Sequence, residues 1–400
     1  MPLLPGLLLL PVLLRLSFDL HSGGLNLVLQ FWQAALQPSL NPLLLRSLLN
    51  AVSTTLLMAV LSWLISTGAG FILGLLCSRR VAALFGGSGW MSTWLRHLLA
   101  PFRAIHELVW GLLFLQLFGL NGWVAVLAIS LPYSALMARV LADQIDNRSS
   151  SAVQALKSGG ATAASTLFTA VLPETAGGLL SHSGHRLDCA VRSAVLLGVF
   201  GLGGIGTDLA LSLQSLRFHE VWSGLWVLAM LMFVLDRLRR RPQLLAVVAV
   251  LSLASATSQL DLSFPQVTSP LLNMSGEQLL WALQETPWAE LIGGTLLVTV
   301  AAATIAVGLP PLMLLLTLQR RSLRQLLWAL MRLIPVPLTA LLLLFVFQPS
   351  PVLAAVALGL HHSGVMGRVM EDDLDECSSL QAEALLQLGA GQRSAVLYGR

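Results

Sequence analysis

Few residues in this 400-residue chain have the type and spacing to support chemistry. Gly201-Leu-Gly-Gly-Ile-Gly206 is rich enough in glycine to turn backbone N–H groups toward an anion. It lacks the Lys-Ser/Thr of an ATP phosphate loop, and its neighbours are apolar. Two readings stay open: Gly201, Gly203, Gly204 and Gly206 let helices pack closely, or they break a helix along an anion pathway. Glu107 and Arg139 stand near the ends of apolar segments. Each can face such a pathway or reach to the membrane interface. His182 and His185 fall on an expected loop, and His361 and His362 at an expected helix end, with no carboxylate or Cys at ligand spacing. No metal site is expected. Cys77, Cys189 and Cys377 lie far apart, which gives neither a disulfide framework nor a zinc motif. No Ser-His-Asp or paired-carboxylate arrangement suggests catalysis.

One pattern is more specific. Gln154-Ala155-Leu156 is followed by Gly160 and then by Val171-Leu172-Pro173, and Glu383-Ala384-Leu385 is followed by Gly389. This spacing predicts a short helix, a glycine turn and a second helix, with Gly allowing the reversal and Pro173 stopping or kinking the second helix. Such an elbow suits docking into a groove on another protein, whereas a single copy would also fit an interfacial amphipathic helix.

The elements that must hold these residues are membrane spans. The chain is 56% hydrophobic and 10% charged, against about 25% charged residues in a soluble domain, so lipid must cover much of its surface. Helices are predicted near 2–17, 48–76, 104–119, 123–142, 191–206, 220–236, 243–258, 291–318, 333–348 and 351–367, with tight turns at 118–123 and 347–351. The opening apolar run reaches only Leu14; no basic residue precedes it and no small-residue cleavage site follows. An uncleaved first helix is expected, with Arg15 reaching the interface or with a recorded start that is slightly late. With the N-terminus in the cytoplasm, the inside segments and their flanks hold 20 of the 23 Lys and Arg, all but Arg15, Arg46 and Arg217. This skew follows the positive-inside preference. The net charge of +4 therefore needs no nucleic acid to explain it.

The chain also repeats itself. A shift of 229 residues aligns 103–165 with 332–394, pairing Arg103 with Arg332, Ser134 with Ser363, Arg139 with Arg368, Asp143 with Asp372, Asp146 with Asp375 and Gly160 with Gly389. A shift of 241 pairs Thr54 with Thr295 and Arg79-Arg80 with Arg320-Arg321. Chance similarity between apolar helices would pair Leu with Leu, not these polar residues. Two parallel repeats are expected. The first unit is 1–241 (helix 2–17, core 48–241), and the second is 242–400 (core 291–400).

These residues resemble the permease subunit of ABC importers of the phosphonate-uptake type. The Gln/Glu-Ala-Leu-x3-Gly elements resemble that family's coupling loop. Arg103-Ala-Ile-His-Glu-Leu-Val-Trp110, Leu197 to Gly206, and Phe233 to Arg241 resemble its phosphonate branch. The likeness runs from 48 to 241 and, more weakly, from 291 to 400, where Arg332-Leu-Ile-Pro-Val-Pro-Leu lacks the counterpart of Glu107.

The resemblance implies an all-α polytopic membrane protein of about ten transmembrane helices, type I importer-like, in a bacterial inner membrane. It implies no covalent chemistry on this chain, which would bind no cofactor. ATP and magnesium would be bound by a pair of partner ATPase subunits, docked at Gln154, Ala155, Leu156, Gly160 and Pro173 and at Glu383, Ala384, Leu385 and Gly389. A periplasmic binding protein would deliver a small anion such as phosphonate, phosphite or phosphate. Gln154 stands where the family has an acid, which makes the second docking site the stronger. By the 229 shift Leu172-Pro173 would fall at 401–402, so the second copy is expected to lack its coupling exit and last two helices. An importer of another small solute and a secondary transporter remain alternatives; charges clustered at helix ends count against the latter.

Overall fold

The computed structural model describes residues 7, 9–20, 24–148, 151–239, 250, 254, 275–317, 320–376, 380–389 and 391. They are almost entirely helical. In chain order the helices are α1 (Leu10–Phe18), α2 (Leu25–Ala34), α3 (Pro42–Cys77), α4 (Arg79–Leu84), α5 (Trp90–Ala104), α6 (Glu107–Phe118), α7 (Gly122–Asn147), α8 (Ser151–Ser158) and α9 (Ala163–Thr166). They continue with α10 (Leu172–Leu197), α11 (Ile205–Gln214), α12 (Phe218–Arg239), α13 (Gly276–Glu285), α14 (Trp288–Leu316), α15 (Arg321–Leu333), α16 (Val336–Leu343), α17 (Pro351–Glu376) and α18 (Leu380–Gln387). Five are long and apolar enough to cross a bilayer, or up to eight if each sharply bent pair counts as one span. The chain is thus an integral, multi-pass membrane protein. Among the described residues the spans fall short of the ten expected.

The differences have local causes. Of the expected helix 2–17, residues 10–17 lie in α1, and residues 2–6 and 8 lie outside the described residues. The helix expected at 243–258 lies outside the described residues, apart from 250 and 254. The helix expected at 104–119 is α6, set at 83° to α5. Pro101 lies in the last turn of α5, and His106 caps α6 through the Leu108 N–H. The one expected at 333–348 shrinks to α16, set at 97° to α15.

The contacts group the chain into two compact units that cut across the 241/242 repeat boundary: 40–215 with 226–274, and 1–39 with 216–225 and 275–400. In the first, α3 crosses α7 closely. A Cβ on Gly70 would sit 2.4 Å from Met137 Cβ, and one on Gly74 2.9 Å from Leu141 Cβ, so this small-xxx-small pair lets the backbones approach. Where α3 ends, Ser78 caps α4, and Asp146 of α7 accepts from Ser78 Oγ (2.6 Å), from the Arg79 and Arg80 N–H groups and from Arg96 Nη2 (2.6 Å). One carboxylate therefore satisfies a helix start and pins α5 to α7.

In the other unit Trp222 donates to Phe31 O (2.6 Å) within an aromatic cluster that includes Phe218. Gly359 of α17 seats Ile305 of α14, and Gly367 seats the indole of Trp328. Ser363 Oγ donates to Ile305 O (3.0 Å).

The repeat is visible in element bounds. Displaced by 229, α7 and α8 coincide end for end with α17 and α18, and α6 and α16 share their starting position. The Arg96–Asp143 ion pair between α5 and α7 (3.3 Å) also has a counterpart, displaced by one residue on both sides. Gln325 stands at the position of Arg96, but Arg324 of α15 binds Glu371 of α17, adjacent to Asp372. Both side chains are buried, at 8% and 6% exposure. Removing one partner of a buried pair strands the other charge, whereas replacing both with apolar groups is often tolerated. Arg324→Met should therefore lower stability by about 3–5 kcal/mol, and Arg324→Met with Glu371→Leu should recover most of it. Apparent melting of the detergent-solubilised chain checks this.

Candidate coupling elements and permeation core

The glycine segment breaks a helix and packs closely at the same time. No single helix spans 191–206; α10 passes through a wide turn at Gly198–Leu202 and stops, and α11 leaves at 54°. Gly201, Gly203 and Gly204 hold φ of +92°, +94° and +77°, a region that penalises any Cβ. The space is closed as well. A Cβ on Gly204 would lie 2.3 Å from Thr55 Oγ1, and one on Gly206 2.0 Å from Val195 O. Backbone groups freed by a break in an apolar medium need new partners. Thr55 of α3 supplies one, its Oγ1 accepting from Ile205 N (2.9 Å), and Thr207 Oγ1 supplies others by accepting from Gly203 N and donating to Gly198 O. Nothing in the local sequence singled out Thr55, because its partner lies 150 residues away.

Glu107 does not reach outward. It opens α6 with a side chain 13% exposed and accepts a hydrogen bond from Ser193 Oγ of α10. The Tyr133 hydroxyl of α7 lies 2.9 Å from Ser193 Oγ, and the Arg186 guanidinium sits 5.6 Å over the Tyr133 ring. Three helices thus share a polar knot within the apolar core. Tyr133, Arg186 and Ser193 escaped the sequence reading: Tyr133 and Ser193 fall within expected apolar helices, and Arg186 within the segment 143–190 that follows the fourth helix, long for a loop. Most of it is helix, which also places His182 and His185 on α10 and, in the other unit, His361 and His362 within α17 rather than at its end. Among the described residues no group of three His, Cys, Asp or Glu could hold a metal. Arg139 lies on α7 and donates to Asp143 Oδ2 (2.7 Å).

The elbow has the expected form. After α8, Gly160 adopts φ +81°, with Gly160 N donating to Lys157 O and Ala161 N to Leu156 O, the paired closure of a left-handed helix end. Gln154 and Ala155 are exposed, Leu156 is half-buried, and Val153 packs with Val81, Leu84, Leu141 and Ile145. Thr162 then caps α9. Pro173 does not stop the chain. The preceding Leu167–Val171 turn widens to a π register, Leu172 N reaching back to Leu167 O, and helix resumes through Pro173. Helical structure therefore runs without a break from Ala163 to Leu197, about 50 Å at 1.5 Å per residue. It joins the elbow to the glycine break. Phe168 stands 68% exposed beside the elbow.

The second elbow has the same turn. Gly389 adopts φ +84°, Leu388 N donates to Ala384 O and Gly389 N to Leu386 O, each bond displaced by 229 from its counterpart. Ala384 is exposed and Leu385 half-buried; Glu383 belongs to α18, but its side chain lies outside the described residues.

Residues 70–241 match the family described as binding-protein-dependent transport system inner membrane component. The match covers 172 of the 400 residues, and over this part the chain is similar to inner-membrane components of binding-protein-dependent transport systems. The chain is similar to the phosphate-import permease protein PhnE of Mycolicibacterium smegmatis, 27% identical over 194 residues, which are 48% of this chain and 35% of the relative. It is 26% identical over 194 residues to the phosphite transport system permease protein PtxC of Stutzerimonas stutzeri, covering 48% of this chain and 68% of that one. The chain thus spans about a third of the first relative's length. No solved structure matches it.

Thr55→Val keeps the shape of the side chain but orphans the buried Ile205 N–H, and should cost about 1–3 kcal/mol. Gly204→Ala adds a clash and a forbidden φ and should destabilise further. Gly68→Ala, with nothing within 4 Å of the new Cβ, should be neutral or stabilise by up to about 1 kcal/mol. Apparent melting of the three variants checks the order.

Proposed function

We propose that this chain is the membrane-spanning permease component of an ATP-driven, binding-protein-dependent importer for phosphonate or a related phosphorus oxyanion such as phosphite or phosphate. The observation that carries the reading is the pair of matching elbows, each closed by a left-handed glycine at Gly160 and Gly389. ATPase subunits, as a pair that binds ATP and magnesium, dock at Gln154, Ala155, Leu156, Gly160 and Pro173 and at Glu383, Ala384, Leu385 and Gly389. The names of the relatives support the substrate class. A periplasmic binding protein presents the anion, and the chain sits in the bacterial inner membrane with its N-terminus and elbows on the cytoplasmic side.

In this reading the partner's nucleotide cycle moves α8, whose exposed Gln154 and Ala155 and neighbouring Phe168 form a docking face. The continuous helix from Ala163 carries the displacement to the break at Gly201, Gly203, Gly204 and Gly206. There the glycines and Glu107 line the pathway. The break suits a two-position gate, because its backbone is held by the Thr55 and Thr207 hydroxyls rather than by a helical ladder.

Cells that depend on this importer for phosphorus should take up phosphite, phosphonate or phosphate. Replacing Gly160 and Glu383 together should abolish uptake and co-purification of the ATPase, while the chain still reaches the membrane. Unchanged co-purification rejects the docking assignment, and uptake of none of the three anions rejects the substrate class.

A further inference from the structure

Within the unit formed by 40–215 and 226–274, a half-open cavity of about 480 Å³ lies where α4, α5 and the last turns of α7 meet. Arg79, Arg96, Arg103 and Arg139 face it, with Asp143 and Asp146 opposite. The cations are not equivalent. Arg96 is 10% exposed and is consumed by structure, its guanidinium bound to Asp143 (3.3 Å), Asp146 (2.6 Å) and Cys77 O (2.7 Å). Arg139 is held by Asp143. The Arg79 guanidinium donates to the Thr93 hydroxyl (3.2 Å), and among the described residues neither it nor the Arg103 guanidinium forms an ion pair with a carboxylate. Four guanidinium groups against two carboxylates leave a surplus of two positive charges around a space large enough for a small polyoxyanion.

Two further observations bear on the ligand. Arg79, Arg103 and Arg139 recur in the second copy as Arg320, Arg332 and Arg368, whereas the latch arginine, Arg96, is replaced by Gln325 and its ion pair is rebuilt one residue away. The cavity arginines are therefore repeated independently of the latch. Moreover, α5 is set at 83° to the axis of α6, which suits a helix lying along the bilayer surface. It exposes Trp90 (67%), Trp94 (51%) and Leu98 on one side while Arg96 and Arg103 face the cavity. A tryptophan-bearing amphipathic helix beside basic groups is built for the headgroup layer. Guanidinium forks match phosphate oxygens in geometry as well as charge.

We propose that this cavity is a binding site for a phosphate group, centred on Arg79 and Arg103 and distinct from the glycine break. The phosphate comes from an anionic lipid headgroup in the surrounding leaflet or from a free oxyanion on that side. The site needs no ATPase or binding protein, so its test is independent of the transport reading. The full-length chain and its Arg79→Gln/Arg103→Gln variant would be purified and examined in two arms. In detergent free of anionic lipid, titration with inorganic phosphate reads free-oxyanion binding. In nanodiscs of phosphatidylcholine with phosphatidylglycerol, native mass spectrometry reads retained anionic lipid. The variant should lose about tenfold or more in whichever arm supplies the ligand, and loss confined to one arm identifies the source. Arg79→Lys/Arg103→Lys, which keeps the charge, should bind between the two and guards against a folding defect in the glutamine variant. Equal phosphate affinity and equal lipid retention in the native chain and both variants would overturn the proposal, as would absence of binding in both arms.

Discussion

The constraint on which the rest of this molecule depends is that an apolar surrounding offers the backbone no water to bond. Each N–H and C=O must find its partner inside the protein. Helices meet that demand wherever they run, which is why 400 residues with so few charges become almost wholly helical where they are described. The informative places are those where a helix ends or breaks among buried neighbours. At the α3–α4 junction Asp146 gathers a hydroxyl, two backbone N–H groups and a guanidinium. At the α10–α11 break the hydroxyls of Thr55 and Thr207 play the same part. Both solutions take a side chain from a distant helix, so each interruption also becomes a tie between helices.

Continuity has mechanical consequences. The stretch between the elbow and the glycine break is one helical run that passes Pro173 by widening a single turn. A loop of that length would absorb a push at one end, whereas a hydrogen-bonded helix transmits it. The polar knot of Glu107, Tyr133 and Ser193 lies beside that helix and couples it to α6 and α7. In the second copy the place of Glu107 is taken by Val336, so the two halves are alike in their elbows and unlike in this part of their cores.

The repeat shows which features are held by position and which by function within a pair. Element bounds and glycine turns keep one displacement throughout. The Arg96–Asp143 pair between the short helix and the long one does not; its arginine and its carboxylate have each moved one residue. What persists is a charged clasp between those two helices, because a lone buried charge would be costly whereas a moved pair is not.

Much was legible in the sequence alone. Low charge and long apolar runs determined the membrane-spanning, helical character. Polar identities at a constant displacement determined the duplication, and the Gly160 and Gly389 spacing determined both elbows, since only glycine takes a left-handed turn at little cost. These are local properties, or comparisons of the chain with itself. Only the tertiary structure decided that 163–197 is one helical run, that it passes Pro173 through one widened turn, that the expected spans at 104–119 and 333–348 belong to sharply bent pairs, and that Thr55, Tyr133, Arg186 and Ser193 matter. A hydrophobicity reading sees His182, His185 and Arg186 and infers a loop. Folding can keep them in a helix because a polar face can turn toward neighbouring helices instead of lipid, and that choice depends on residues up to 150 positions away.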